Sequence, residues 1–408
     1  MDIFGILSMI GGLALFLYGM EAMGAGLSKL SGGRMERLLE KLTSKRIMAV
    51  LLGAGVTAVI QSSSATTVMV VGFVNSGIMK LNQAVGIIMG ANIGTTITSW
   101  LLSLTGIQGS SFILKMLKPS SFSPILAIVG IIFIMFTKDE KKKDIGGIFL
   151  GFAILMYGME AMSGAVAPLA DNEKFTGILT MFSNPILGLL AGTILTAVIQ
   201  SSSASVGILQ ALCATGAVNF STALPIIMGQ NIGTCVTAII SSIGTSKNAK
   251  RAAAVHLFFN ISGTVIFMVV FYTLNTFVHF SFLNTAASPA GIAVIHSLFN
   301  IGATILLFPF ANLLEKMAIL AIPDKGSEVE EMEEEKINPD LARLDERFLD
   351  KPGFAMEECR GVAINMARKS KKAMNLAIDL LKEYDEKTSA RVEKLENQID
   401  QYEDALGT

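Results

Sequence analysis

Apolar runs of helical length follow one another through the first 322 of the 408 residues. Two of these runs are interrupted by Gln-Ser-Ser-Ser, and their apolar flanks are short. Residues 47–60 and 65–78 are each about fourteen residues long, or roughly 21 Å as helix, against a hydrocarbon core of roughly 30 Å. The pattern therefore predicts a re-entrant hairpin or broken helix at 47–78 and another at 186–217. Irregular backbone at that depth is tolerated where it lines a wet or protein-enclosed cavity.

The same pattern occurs twice along the chain, in register. Three segments recur with an offset of 139 residues: Tyr18–Met23 at 157–162, Thr57–Ala65 at 196–204, and Ile87–Thr95 at 226–234, with Gln230 in place of Ala91. A repeat of this kind determines the architecture, because each copy forms the same supersecondary unit. We therefore expect a membrane domain over 1–322 that contains two copies of one unit and two closing helices, at about 3–105, 142–244 and 251–315.

Composition and charge support a membrane protein. Hydrophobic residues make up 51% of the chain and charged residues only 16%. Residues 1–322 hold 18 Lys/Arg and 11 Asp/Glu, whereas the remaining residues hold 14 and 22. This distribution excludes a purely soluble enzyme and predicts a polytopic membrane protein. The N-terminus has no basic region before its apolar run, so we expect a first membrane helix there rather than a removable signal peptide.

The basic residues predict how the chain is oriented. Residues 29–46 carry six Lys/Arg, whereas the equivalent segment of the second unit, 168–185, carries only Lys174. Short cytoplasmic loops are enriched in Lys and Arg, so equivalent loops are expected on opposite sides of the membrane. The prediction is an all-α polytopic membrane protein of two inverted-topology repeats, with an external N-terminus and a short cytoplasmic helical tail. Secondary transporters commonly have this architecture, with the binding site where the repeats meet.

The C-terminal part divides into an acidic linker at 323–340 and a helical segment at 341–408. Two apolar stripes at helical spacing are expected to pack on other helices: Val392, Leu395, Ile399, Tyr402 and Leu406, and Ala363, Met366, Ala373, Met374, Ala377 and Leu381. The given sequence ends soon after the second of the two predicted helices, which carries the stripe from Val392 to Leu406. We therefore expect either an incomplete module or one completed by a second protomer in a homodimer.

The two Gln-Ser-Ser-Ser segments carry the candidate chemistry. They set hydroxyl and amide groups in apolar sequence. A helix that restarts after the break directs free N–H groups towards the loop, which suits an oxyanion, while the oxygens suit a hard cation such as sodium. The structural alternative is a polar interhelical turn, with serines that bond to their own helix. That alternative does not explain why both units keep the same polar run between flanks too short to span.

Other polar residues allow a functional and a structural interpretation. Asn and Thr of the two Asn-Ile-Gly-Thr blocks could complete ion sites or bond between helices. Glu21 and Glu160 are carboxylates within apolar spans; we expect each to lie near its helix end and to reach the headgroups, although an ion or proton site is the alternative. His256 and His296 each precede an Asn by four residues, which favours a polar contact between helices. The cysteines, Cys213, Cys235 and Cys359, lack metal or redox spacing.

Paired Gln-Ser-Ser-Ser segments, each followed by an Asn-Ile-Gly-Thr block, resemble the type II sodium-dependent phosphate cotransporter family over residues 1–315. The resemblance implies symport of inorganic phosphate with sodium. It implies phosphate-binding serines at Ser62, Ser63, Ser64, Ser201, Ser202 and Ser203. It implies sodium ligands at Gln61, Thr66, Asn92, Thr95, Gln200, Asn231 and Thr234. The tail after residue 340 resembles the opening helices of a PhoU-like domain, apparently truncated. Electrogenic animal members are similar but carry an aspartate near the first Asn-Ile-Gly-Thr block, where this chain has no acidic residue between Glu40 and Asp139.

The function that this resemblance implies is secondary active phosphate uptake at the cell membrane, and we expect no enzymatic activity, cofactor, transition metal or nucleic acid. Divalent phosphate in a site without Lys or Arg needs bound sodium to balance its charge, so the two bind cooperatively. Three alternatives remain: a symporter for another small oxyanion or dicarboxylate, a phosphate-sensing scaffold, and an intramembrane serine hydrolase. The hydrolase is disfavoured because the chain has no Gly-x-Ser-x-Gly elbow.

Overall fold

The computed structural model describes residues 3–31, 45–107, 118–170, 172–323, 341–344, 349 and 352–407. These residues form helices, turns and one isolated β-bridge between Asn219 and Ala286. The predicted all-α class is therefore confirmed for this part of the chain. Two predicted features lie largely outside the described residues: positions 32–44 of the basic segment and positions 324–340 of the acidic linker.

Four helices of the first unit match four of the second, with bounds that agree to within four residues after the offset of 139. In the first unit they are α1 Ile3–Ser31, α2 Arg46–Ile60, α3 Ser63–Asn75 and α4 Leu81–Ser103, and α5 Pro119–Phe136 follows this unit. In the second unit they are α6 Glu140–Val166, α8 Pro185–Ile199, α9 Ser202–Cys213 and α10 Phe220–Ser241, with the additional helix α7 Glu173–Met181 between α6 and α8. The bounds of α2 and α8 differ by the sequence offset of 139 at both ends. The remaining helices are α11 Lys247–Val278, α12 Pro289–Leu307, α13 Ala311–Ala321, α14 Pro352–Leu380 and α15 Glu386–Gly407.

Six helical segments of the described chain are long and apolar enough to cross a membrane: Ile3–Leu30, Leu81–Gly106, Glu140–Leu169, Phe220–Ser241, Lys247–Val278 and Pro289–Ala321. The chain is therefore a multi-pass membrane protein. Helices α2, α3 and α9 have only 15, 13 and 12 residues. Such lengths fall short of the roughly 20 residues that span a bilayer, as the short apolar flanks predicted.

The first helices of the two units pack closely and run antiparallel. A Cβ atom on Gly12 would meet the backbone of Gly158, and one on Gly19 would meet the backbone of Gly151. The reverse contacts are equally close, because Gly158 faces Gly12 and Gly151 faces Gly19. Gly151 and Gly158 are the repeat equivalents of Gly12 and Gly19, so the interface exchanges equivalent residues. Small residues permit such close approach between membrane helices.

Helices α14 and α15 of the tail form a hairpin. The predicted α15 stripe packs on α14, and Tyr402 is fully buried, with the Lys369 ammonium 5.4 Å from its ring centroid. The predicted α14 stripe is wrong in part, because Met374 and Leu381 are 67% and 87% exposed. The hairpin buries a neighbouring face of α14 that includes Val362.

Candidate functional site

The two Gln-Ser-Ser-Ser segments meet at a single cavity of about 600 Å³. Helix α1 forms one wall of it, and the two interrupted segments form the rest. Its lining residues are Leu17, Met20, Glu21, Gly24, Ala25, Ile60, Gln61, Ser62, Ser63, Ser64, Ala65, Ser201, Ser202 and Ser203. Segments separated by 139 residues in sequence therefore share one site.

Each segment breaks its helix at the glutamine. Gln61 has φ 61° and Gln200 has φ 58°, in the left-handed region that side chains other than glycine adopt uncommonly. Their backbone N–H groups donate to the carbonyls of Thr57 and Thr196 and so end α2 and α8. The Gln61 side chain is held on both sides, because its amide donates to the Ala58 carbonyl and its Oε1 accepts from Thr98 Oγ1 at 3.0 Å.

The next residue in each segment starts the second half-helix. Ser62 Oγ accepts a hydrogen bond from Ala65 N at 3.1 Å, and Ser201 Oγ accepts one from Ala204 N at 3.2 Å. Serine is a preferred N-cap because its oxygen satisfies one of the N–H groups that lack an intrahelical acceptor. Other N–H groups of the first turn remain directed along the helix axis. The N-termini of α3 and α9 both lie at the cavity, so two positive dipole ends converge there.

The two loops also contact each other. Ser63 Oγ lies 3.5 Å from Ser202 Oγ, and these serines are repeat equivalents. Ser64 Oγ donates to the Gln200 carbonyl at 3.4 Å. Equivalent residues of the two units therefore contact each other at the cavity.

The candidate phosphate ligands and the candidate sodium ligands lie in different places. All six serines line the cavity: Ser62, Ser63, Ser64, Ser201, Ser202 and Ser203. Gln61 also lines it, whereas the other sodium candidates are not among its lining residues: Thr66, Asn92, Thr95, Gln200, Asn231 and Thr234.

Several candidate hydroxyl groups bond within their own helices. Thr95 Oγ1 donates to the Ala91 carbonyl at 3.1 Å, and Thr234 Oγ1 donates to the Gln230 carbonyl at 2.9 Å. This is the local bonding that serine and threonine make in membrane helices. Each hydroxyl oxygen keeps lone pairs for a further donor or cation.

The asparagines of the two blocks contact the closing helices. Asn92 Nδ2 donates to Asn260 Oδ1 on α11, and Asn231 Nδ2 donates to Asn300 Oδ1 on α12, each at 3.3 Å. Asn260 and Asn300 in turn donate to carbonyls one turn earlier in their own helices, at 2.9 Å. The closing helices therefore make equivalent polar contacts with the two units.

Sequence reasoning missed two threonines that join the half-helices. Thr57 Oγ1 donates to Thr66 Oγ1 at 3.0 Å, and Thr196 Oγ1 donates to Ser205 Oγ at 2.8 Å. All four side chains are buried. The repeated segment Thr57–Ala65 could have indicated them, because it begins with this threonine in both units.

Sequence reasoning also missed the α1 wall. Glu21 lies ten residues before the end of α1 and lines the cavity, so the expectation that it reaches the headgroups from a helix end is wrong. It is the one ionisable side chain among the described lining residues, which include no Lys or Arg. The cavity thus offers hydroxyl donors, helix N-termini and neutral oxygens to an anion, but no cationic side chain.

The chain is similar in sequence to several known proteins. The chain is 29% identical over 315 residues to the uncharacterized protein YqeW of Bacillus subtilis, covering 77% of this chain and 97% of that protein. It is 27% identical over 323 residues to the putative inorganic phosphate export protein YjbB of Salmonella typhimurium, covering 78% of this chain but only 56% of that protein. A 113-residue stretch, 26% of this chain and 17% of the relative, is 39% identical to sodium-dependent phosphate transport protein 2A of Rattus norvegicus. No solved structure matches the chain.

The family model described as Na+/Pi-cotransporter matches the chain twice, over residues 15–164 and 154–294. The two matches include the two Gln-Ser-Ser-Ser segments, one in each. Together they cover more than half of the chain. The chain therefore belongs to the Na+/Pi-cotransporter family and is a membrane transporter rather than an enzyme.

Proposed function

We propose that this protein couples sodium entry to the uptake of inorganic phosphate across the cell membrane. The observation that carries the proposal is the 3.5 Å contact between the equivalent hydroxyls of Ser63 and Ser202, at a cavity onto which two helix N-termini converge. Converging N–H groups and hydroxyls suit a compact oxyanion that accepts several hydrogen bonds at once. Phosphate has this chemistry, and the six lining serines are its proposed ligands.

Sodium supplies the positive charge that the cavity lacks. Burial of a multiply charged anion without compensation is prohibitive at low dielectric, and the described lining residues include no Lys or Arg. Each ion therefore raises the affinity for the other by the same factor. Gln61, at the cavity, is the foremost proposed sodium ligand. The others lie outside the cavity lining, on α3, α4 and α10 and at the end of α8: Thr66, Asn92, Thr95, Gln200, Asn231 and Thr234.

An inverted repeat is part of this proposal. The antiparallel contact between α1 and α6, in which equivalent glycines exchange partners, supports units of opposite orientation. The short half-helices α2, α3, α8 and α9 support two re-entrant hairpins that enter from opposite faces. We place the N-terminus outside, the membrane domain at 1–322, the linker at 323–340, and a PhoU-like tail at 341–408 in the cytoplasm.

A second candidate is transport in the opposite direction. It is favoured by the names of the YjbB relatives, which describe them as putative phosphate export proteins. Flux through a symporter follows the combined gradients of its ions, so direction is a question of driving force as well as of structure.

The test is phosphate flux in proteoliposomes that contain the full chain. Cys359 is the exposed thiol among the described cysteines, whereas Cys213 and Cys235 are buried, so an impermeant thiol reagent reports the orientation of the protein. We expect an inward sodium gradient to drive phosphate accumulation, and Gln61→Ala and Gln200→Ala to reduce it. Active vesicles without sodium dependence would refute the coupling.

Two further variants of this assay test the remaining alternatives. Sulfate, arsenate and dicarboxylates compete for uptake only if the serine cavity accepts them, and we expect arsenate, the isostere of phosphate, to compete best. Removal of residues 341–408 leaves flux intact if the tail only modulates transport. It abolishes flux if the tail is required for assembly, for instance through a homodimer that covers its exposed apolar residues.

A further inference from the structure

Among the described residues that line the serine cavity, Glu21 is the one carboxylate. It lies in the interior of α1, is exposed, and lines the same space as Gln61 and the six serines. No hydrogen bond or ion pair joins it to another described residue. A carboxylate within a membrane span is costly and normally retained for a function, with a defined charge partner. Here the partner is not a protein side chain of the described lining.

The second unit provides a matched comparison. Met20, Glu21 and Gly24 line the serine cavity, and their repeat equivalents Met159, Glu160 and Ser163 line a separate cavity of about 240 Å³. The second cavity contains none of the six serines, and it includes Lys118. Equivalent carboxylates thus occupy different electrostatic surroundings. Glu160 shares its cavity with Lys118, whereas the other described residues that line the cavity of Glu21 are all neutral.

We propose that Glu21 binds a sodium ion at the serine cavity, whereas its repeat equivalent Glu160 does not. This inference rests on the proposed function, because it identifies a coupling-ion ligand of the same site. A hard monovalent cation prefers oxygen ligands, and the Glu21 carboxylate and the serine hydroxyls supply them in a cavity whose described lining includes no Lys or Arg. The second cavity is lined by Lys118, whose positive charge disfavours a further cation there.

The charge of Glu21 also affects the coupling between sodium binding and phosphate binding. An ionised carboxylate repels each negative charge of phosphate as strongly as it attracts a sodium ion at the same distance. The empty cavity therefore disfavours phosphate until a cation neutralises Glu21. The charge of Glu21 therefore strengthens the dependence of phosphate binding on sodium, because phosphate binds less tightly when no sodium is bound.

The experiment measures equilibrium binding of radioactive sodium to the purified full chain in detergent, with choline held as the balancing cation. The variants are Glu21→Gln, Glu21→Asp and the matched control Glu160→Gln. In a hydrated cavity we expect Glu21→Gln to raise the sodium dissociation constant roughly tenfold, or about 1.4 kcal/mol. Glu21→Asp keeps the charge and is expected to recover part of the affinity. Glu160→Gln should remain within about twofold of the wild type.

The sodium dependence of phosphate binding is a second measurement, which would not change if Glu21 had only a structural role. Glu21→Gln should bind phosphate with a weaker dependence on sodium than the wild type, because its cavity no longer repels the free anion. Unchanged sodium affinity in Glu21→Gln would overturn the inference. Equal losses in Glu21→Gln and Glu160→Gln, or a wild type that binds no sodium, would overturn it as well. Intact, Glu21-dependent sodium binding without sodium-driven phosphate flux would refute the proposed function alone.

Discussion

Removal of the paired hydroxyls Ser63 and Ser202 is the most direct test of the phosphate site. Their oxygens lie 3.5 Å apart, and both serines line the cavity. An oxyanion between the helix N-termini would accept a hydrogen bond from each of them. A hydrogen bond to a charged group contributes about 1.5–3 kcal/mol, because the buried partner otherwise remains unpaired. Each Ser→Ala change is therefore expected to weaken phosphate affinity by about ten- to one-hundredfold.

The assay is the phosphate concentration dependence of uptake at saturating sodium, for Ser63→Ala, Ser202→Ala and the double variant. Ser76→Ala is the matched control, because Ser76 is equally buried, ends the same helix α3, and donates to the Gly72 carbonyl at 3.0 Å away from the cavity. Because the two hydroxyls touch, the double variant should deviate from additivity by at least about 0.5 kcal/mol.

The proposed role of Ser63 and Ser202 as phosphate ligands would be refuted if the phosphate concentration for half-maximal uptake in both single variants stayed within twofold of that of the Ser76→Ala control. Strict additivity in the double variant would contradict a shared ligand at Ser63 and Ser202. A fall in maximal rate with unchanged half-saturation would instead indicate that the hydroxyls serve a step after phosphate binding.

The remaining predictions concern packing, backbone geometry and charge. Gly19→Ala should lower the free energy of unfolding by about 1–3 kcal/mol, because the added Cβ atom meets the backbone of α6. Gly11→Ala is the control, since its Cβ atom meets nothing within 4 Å, and equal thermal midpoints of the two variants in detergent would contradict the prediction. Gln61→Val should be less stable than Gln61→Gly by about 1–2 kcal/mol, because a branched residue is strained at φ 61°, and thermal unfolding of the two variants tests the order. The hydroxyl and backbone N–H of Thr388 donate hydrogen bonds to Asp385 and lower the pKa of its carboxyl, so the first turn of α15 should lose stability as the pH falls from the ordinary pKa of an aspartate through that lowered pKa. Amide hydrogen exchange, corrected for the pH dependence of the intrinsic rates, measures this loss of stability. Asp385→Asn should abolish the pH dependence, because asparagine does not titrate.

The local pattern of the sequence was sufficient to predict the helices and their interruptions. The flanks at 47–60 and 65–78 predicted half-helices, and the structure has them at Arg46–Ile60 and Ser63–Asn75. This succeeds because length and apolar periodicity are local properties that the bilayer constrains strongly. The offset of 139 likewise predicted which helices would match in the two units, since a repeated sequence repeats its local preferences.

The assembly of the site depended on contacts that no local pattern encodes. The sequence identified the six serines as polar but contained nothing that sets Ser63 against Ser202 or makes α1 a wall of their cavity. Those contacts result from packing faces that lie far apart in sequence, such as the glycine contact between α1 and α6. Glu21 is the clearest case: its sequence context was compatible with a headgroup contact, and only the packing of α1 beside the interrupted helices placed it at the cavity. The sequence by itself determined which elements form and where they break, whereas the tertiary structure decided which of their polar groups share one space.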